Sequence, residues 1–108
     1  MLRTVALALL APALLVASSP AQAGEIEVAQ KNKKFSTPSV NAKVGDTLVF
    51  RNEDPFFHNI FSLSPVQAFD LGSFPRGESR KVELKKEGTV DVECAIHPEM
   101  KMTVKVTK

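Results

Sequence analysis

The sequence predicts an all-β fold, a β-sandwich, and three observations carry that expectation. Short segments alternate apolar and polar residues with period two, as half-buried strands do. Turn-forming Gly, Pro, Asn and Asp separate these segments at short intervals. Beyond residue 24 no stretch keeps a helical period of useful length, so the strands must bury their apolar faces on one another.

The first stretch stands apart from that pattern. Arg3 supplies a positive charge, residues 5–17 are apolar with only Pro12 interrupting, and Ala21-Gln22-Ala23 has the small-residue spacing of a cleavage site. A membrane anchor needs about 20 predominantly apolar residues. This run is shorter and ends in Ser18-Ser19-Pro20. The expectation is a cleaved export signal over residues 1–23, no stable membrane anchor, and a single domain over residues 24–108.

The strands follow in order. Glu25-Ile26-Glu27-Val28-Ala29 alternates cleanly. Residues 35–44 form a second extended stretch in which Pro38 marks an edge or a bulge. Gly45-Asp46 signals a turn, and Thr47 to Asn52 follows with residues that suit a pleated surface. Glu53-Asp54-Pro55 breaks the pairing, and His58 stands at the start of the next segment, residues 59–63. Residues 64–79 carry Pro65, Gly72, Pro75 and Gly77 and read as loop. Arg80 to Leu84 alternates again, and residues 85–88 turn the chain. Thr89 to Cys94 is a strand whose parity puts Val90, Val92 and Cys94 on one face. The last strand, about residues 101–107, points Met102, Val104 and Val106 to one side.

Composition excludes more than it assigns. Fourteen Lys and Arg against 12 Asp and Glu leave a net charge of +2, with no basic stripe interleaved with aromatics, so a nucleic-acid partner is not expected. Lys31, Lys33 and Lys34 read as a solvated strand or turn face. A domain of this size buries only about 60–65% of its unfolded surface. Small exported domains often compensate with disulfides, but one cysteine cannot form one within the chain. A lone exported thiol is an inert core residue, half of an intermolecular bridge or a metal ligand. A metal bound only by the folded form would add the missing constraint.

The residues around that thiol favour a metal. Cys94-Ala95-Ile96-His97-Pro98-Glu99-Met100 places a thiolate, an imidazole and a thioether on one short loop at a strand end. The chain has only one other histidine, His58. Soft sulfur ligands suit Cu(I), and imidazole suits both copper states, so the set matches a trigonal His2Cys copper site with a weak axial methionine. Each residue alone has a plainer role, since a buried cysteine is usually a small hydrophobe. The signal lies in the joint pattern.

The C-x-x-H-x-x-M run after a Val-rich strand, together with the upstream His58-Asn59, resembles the cupredoxins, and among them the small amicyanin- and plastocyanin-like blue copper proteins. Val44-Gly45-Asp46-Thr47 leading into Val49-Phe50-Arg51-Asn52, and the closing strand Met102 to Val106, extend the likeness over nearly all of residues 24–108. The short gap between His97 and Met100 matches the amicyanin pattern, whereas plastocyanin and pseudoazurin carry the methionine further along. The resemblance implies a cupredoxin-like Greek-key β-sandwich, one mononuclear type 1 copper, and His58, Cys94, His97 and Met100 as ligands. It also implies that the backbone N–H of Asn59 approaches the cysteine sulfur while this residue ties the two ligand loops together. Such outer contacts orient ligands and tune potential. The chain departs from the pattern in three places. Ile96 stands where proline is common, the interval from His58 to Cys94 is shorter than in plastocyanin, and Met102 offers a second sulfur. Strand parity favours Met100 as axial ligand and Met102 as a gap-filling core residue.

The function so implied is that of a periplasmic, monomeric, non-enzymatic carrier of single electrons between redox proteins such as a dehydrogenase and a c-type cytochrome. Pro55, Phe56, Phe57, Ile96 and Pro98 are candidates for an apolar rim around the edge of His97, with core packing an equal alternative for Phe56 and Phe57. A copper carrier or chaperone without electron shuttling is the alternative. A thiol enzyme with Cys94 as nucleophile and His97 as base lacks a visible orienting third residue and an oxyanion hole.

Overall fold

Two β-sheets packed face to face make up the computed structural model, which describes residues 23–108. The export-signal expectation over residues 1–23 lies almost wholly outside the described residues. Strands β1 (Glu25–Lys31), β2 (Lys34–Phe35), β4 (Thr47–Asn52) and β7 (Ser79–Glu83) form one sheet in the order β2-β1-β4-β7. Strands β3 (Ser39–Lys43), β5 (His58–Ser62), β6 (Phe69–Phe74), β8 (Gly88–Cys94) and β9 (Lys101–Thr107) form the other, in the order β3-β9-β8-β5-β6. The all-β expectation holds, and the described residues contain no helix.

The alternation in sequence is the alternation in burial. Val28, Leu48 and Phe50 of the first sheet and Ile60, Val90, Val92 and Val104 of the second are fully buried between the sheets. Their polar neighbours along each strand face outward, as the period of two requires. β1 pairs with β4 and β3 with β9 in parallel, whereas the remaining ladders are antiparallel. This crossing between sheets brings the N-terminal strands against strands from the middle and the end of the chain.

The structure differs from the sequence expectation in two places. The extended stretch expected over residues 35–44 is two strands, because the chain breaks at Pro38 and leaves one sheet for the other. Residues 64–79 are not all loop, since they contain β6. That strand lies at the sheet edge, pairs only with β5, and is out of step with it by a bulge between Asn59 and Phe61. Gly72, at φ 71°, sits opposite the irregularity. A bulged edge strand with a glycine inside loses the clean alternation by which strands are recognised.

Two features of the fold position the site. The β5–β8 ladder sets Ile60 opposite Cys94, so His58 and Cys94 emerge side by side at one end of the larger sheet. The β8–β9 hairpin pairs Glu93 with Lys101, and the residues between them form a loop over the same end.

Candidate metal centre

The thiol of Cys94 is buried at the strand end and flanked by two imidazoles. His58 Nδ1 lies 3.6 Å from Cys94 Sγ and His97 Nδ1 lies 3.7 Å from it. The ligand atoms of the three residues fall within 4.8 Å of one another. The two rings meet edge to face, with centroids 5.0 Å apart. Bonds of about 2.0–2.3 Å to one ion, opened to between tetrahedral and trigonal angles, separate nitrogen and sulfur by about 3.7 Å. The spacing therefore suits a single ion held by all three residues.

The loop of residues 95–100 owes its shape to backbone bonds. Cys94 N–H donates to the Met100 carbonyl at 3.3 Å, and Met100 N–H donates to the His97 carbonyl at 2.9 Å, which folds the loop back on itself. Ala95 N–H donates to the Asn59 carbonyl at 3.0 Å and joins this loop to the strand that carries His58. Asn59 N–H in turn points at Cys94 Sγ from 3.4 Å. Asn59 thus ties the two ligand segments as expected, with its backbone carbonyl and amide, while its side-chain amide reaches Ser73 Oγ at 3.4 Å. Met100 is 1% exposed and Met102 is 3% exposed, so both turn inward, and Met102 keeps the parity of its buried strand neighbours Val104 and Val106.

The two histidines differ in support. His58 is fully buried, and its remote nitrogen Nε2 lies 2.7 Å from Asp54 Oδ2. His97 is half-buried at the surface. Burial and then the neighbouring His58 hold His97 below the ordinary imidazole range, which favours the neutral form that binds metals. Burial of Asp54 works to raise its carboxyl. The hydrogen bonds from His58 and from the Lys33 and Asn32 amides outweigh it and hold the group below the usual carboxylate range. Phe56 fills the space beside both rings, with centroids 5.4 Å from His58 and 5.2 Å from His97. Phe57 and Ile96 are exposed at 54% and 52%, and Pro55 and Pro98 are exposed beside them in sequence. Phe56 is thus a packing residue of the site, whereas Phe57 packs against neither ring and faces solvent.

Asp54 is the residue that sequence reasoning misses. Its tripeptide Glu53-Asp54-Pro55 reads as a plain strand break, and only its position four residues before His58 hints at more. With it, Cys94, His58 and Asp54 form a chain resembling a nucleophile, base and orienter. Burial argues against that use, because Cys94 is 2% exposed and His58 is fully enclosed, which leaves no route for a substrate carbon. A second imidazole on the same sulfur has no role in such a triad and an obvious one around an ion.

The donor set selects the metal class. One thiolate and two imidazoles, enclosed together, suit copper, and the mixed softness accommodates both of its common oxidation states.

Comparison with known proteins points the same way. Residues 22–107 match the family model described as copper binding proteins, plastocyanin/azurin family. The chain is similar to the methylamine utilization protein MauL of Methylorubrum extorquens, at 35% identity over 94% of this chain and 90% of that protein. It is similar to amicyanin-alpha of the same organism, at 36% identity over 94% of this chain and 87% of that protein. Among solved structures, a reduced Cu(I) form of an amicyanin variant superposes with a TM-score of 0.71 at 28% identity, covering 76% of this chain and 81% of that one. A copper-containing nitrite reductase from Thermus scotoductus reaches a TM-score of 0.72 at 24% identity over 22% of its length, a likeness of fold alone. With two stacked sheets, a thiolate between two imidazoles and a family match over almost every described residue, the chain belongs to the plastocyanin/azurin family of copper-binding proteins.

Proposed function

We propose that this protein is a periplasmic electron carrier whose single copper ion is held by His58, Cys94, His97 and Met100 and accepts and releases one electron at a time. The observation that carries the reading is the buried Cys94 sulfur with an imidazole nitrogen on either side, at 3.6 and 3.7 Å. Bound copper supplies a Cu(II)/Cu(I) couple, and everything else is the work of the chain. The sheet holds Cys94 and His58 in place, so the site rearranges little between states. The Asn59 amide directed at the sulfur draws charge from the thiolate. Core packing keeps water from His58 and Cys94, and the half-buried edge of His97 offers the shortest covalent route to the surface.

Ile96 and Pro98, exposed on either side of His97 in the loop, give that edge an apolar setting, and Phe57 adds exposed apolar surface next to His58 in sequence. Such a patch suits brief contact with another redox protein, of which a dehydrogenase donor and a c-type cytochrome acceptor are the expected kinds. Met100, on the ligand loop and inward-facing, is the axial sulfur, and Met102 is core. Export is completed by cleavage after Ala23. Cleavage there leaves the Gly24 nitrogen as the chain's amino terminus, and that nitrogen lies 3.0 Å from Asp46 Oδ1. The new positive charge would thus meet a carboxylate already in position.

Titration of the purified domain with Cu(II), with Cys94→Ser alongside, tests the reading. An intense visible thiolate-to-copper band that ascorbate bleaches, that air or ferricyanide restores, and that Cys94→Ser lacks is the expected result. A colourless complex that does not cycle would overturn electron transfer in favour of copper delivery.

A further inference from the structure

Asp54 is a buried carboxylate with three donors converging on it. Asn32 N–H donates to Oδ1 at 2.6 Å, Lys33 N–H donates to Oδ2 at 3.1 Å, and His58 Nε2 lies 2.7 Å from Oδ2. Only 3% of the residue is exposed. A carboxylate accepts and does not donate, so the ring nitrogen facing it carries the proton. His58 is then the Nε2–H tautomer, and its lone pair sits on Nδ1, the atom that faces Cys94.

The surroundings of Asp54 are built to hold it there. Asn32 and Lys33 form the two-residue turn between β1 and β2, and both have positive φ, 54° and 57°. Neither is glycine, and two successive residues in the left-handed region cost energy that the surroundings must offset. The two amides of this turn are the ones that Asp54 accepts. From the other side, Asn52 Oδ1 accepts Asp54 N–H at 2.8 Å, while Asn52 Nδ2 donates to the Phe56 carbonyl at 2.8 Å and the Phe74 carbonyl at 3.0 Å. The carboxylate is therefore fixed by the smaller sheet and in turn fixes a ring on the larger one. His97 has no corresponding partner among the described hydrogen bonds of its side chain, which reach Cys94 alone.

Building on the copper reading, we propose that Asp54 is the positioning residue of the metal centre: it locks His58 as the Nε2–H tautomer with Nδ1 directed at the ion, and its negative charge lowers the reduction potential. The charge acts through a buried ring with no solvent between, where screening is weak, and favours the more positive oxidised state. Asp54→Asn keeps the size of the side chain and one acceptor oxygen. It removes the charge and turns an amide donor toward the turn or the ring.

Two measurements test this. In metal-free wild-type protein, long-range proton–nitrogen NMR correlations should show His58 protonated at Nε2 and bare at Nδ1, and the opposite tautomer would overturn the proposal. In copper-loaded Asp54→Asn, the midpoint potential should move upward with the visible band retained, and Asp54→Glu should move it back toward wild type. A variant that melts lower but keeps the wild-type potential would make Asp54 merely structural and overturn the tuning role. Should Asp54→Asn not fold, Asp54→Glu and the wild-type tautomer decide. If the wild type lacks the charge-transfer band, the electron-transfer reading fails by itself, and the metal-free NMR measurement still reads the ring.

Discussion

His58 and His97 stand at nearly equal distances from the same sulfur, 3.6 and 3.7 Å, yet they belong to differently built halves of the site. His58 begins a strand, is wholly enclosed, and has both nitrogens committed, one toward Cys94 and one to Asp54. His97 sits on a loop closed by a few backbone bonds, half in solvent, with Ile96 and Pro98 exposed on either side. The contrast shows a division of labour. In the proposed centre the strand half would set where the ion lies and what charge surrounds it, and the loop half would connect that ion to the outside. A site of strands alone would bury its couple beyond the reach of a partner, and one of loops alone would rearrange at every transfer.

Substitutions that treat the halves alike would sharpen this contrast or break it. The largest difference is expected between the two histidines. His58→Ala removes a fully buried ring and takes from buried Asp54 one of its three donors. We expect the metal-free domain to lose about 3–5 kcal/mol in urea unfolding. His97→Ala should cost less than about 1 kcal/mol in the same assay, while both variants lose the visible copper band. Equal costs would mean that the strand half is no better anchored than the loop half.

The two buried methionines come next. Met100→Ala and Met102→Ala should each destabilise the metal-free domain by about 2–3 kcal/mol, because both side chains are core-buried. Only Met100→Ala should also alter the visible spectrum and raise the potential, since the axial ligand tunes that couple. A spectral change with Met102→Ala instead would move the axial sulfur from the loop to the strand.

Ile96→Lys tests the outward-facing surface. Ile96 is 52% exposed, so thermal stability should shift within about 0.5 kcal/mol. Electron self-exchange, read from NMR line broadening of mixed oxidation states, should slow several-fold as like charges meet at the contact face. An unchanged rate would place that face elsewhere.

The smallest effect is expected far from the copper, at Asp46. Hydrogen bonds from the Lys43 and Gly24 backbone nitrogens hold its carboxyl below its ordinary value of 3.8. A depressed folded value contributes stability above the ordinary range and loses it as pH falls through the folded value. Asp46→Asn should therefore melt slightly below wild type at pH 7, and the gap should close as pH drops below about 4. A gap that persists in acid would assign the loss to packing.

Much of this contrast is legible in the amino-acid sequence. Cys94, His97 and His58 converge as their residue types and spacing imply, and Met102 has the inward parity expected of it. The loop run is local, so its ligands lie near one another whatever the rest of the chain does. β6 is hidden in the sequence because a bulge and Gly72 blur its period. Asp54 is hidden because nothing in Glu53-Asp54-Pro55 distinguishes a charged turn from a buried acceptor.

By itself the sequence determined what depends on periodicity and chemistry: strands from alternation, the cysteine and two histidines that meet at one point, and the inward parity of Met102. Tertiary structure alone decided what depends on segments distant along the chain. The parallel pairing of β1 with β4 carries the Asn32–Lys33 turn to Asp54, 22 and 21 residues away, and through it to His58. A hydrogen bond between such segments leaves no mark in the local pattern of either. It exists only once β1 has paired with β4, a pairing held by burying their shared apolar face against the other sheet.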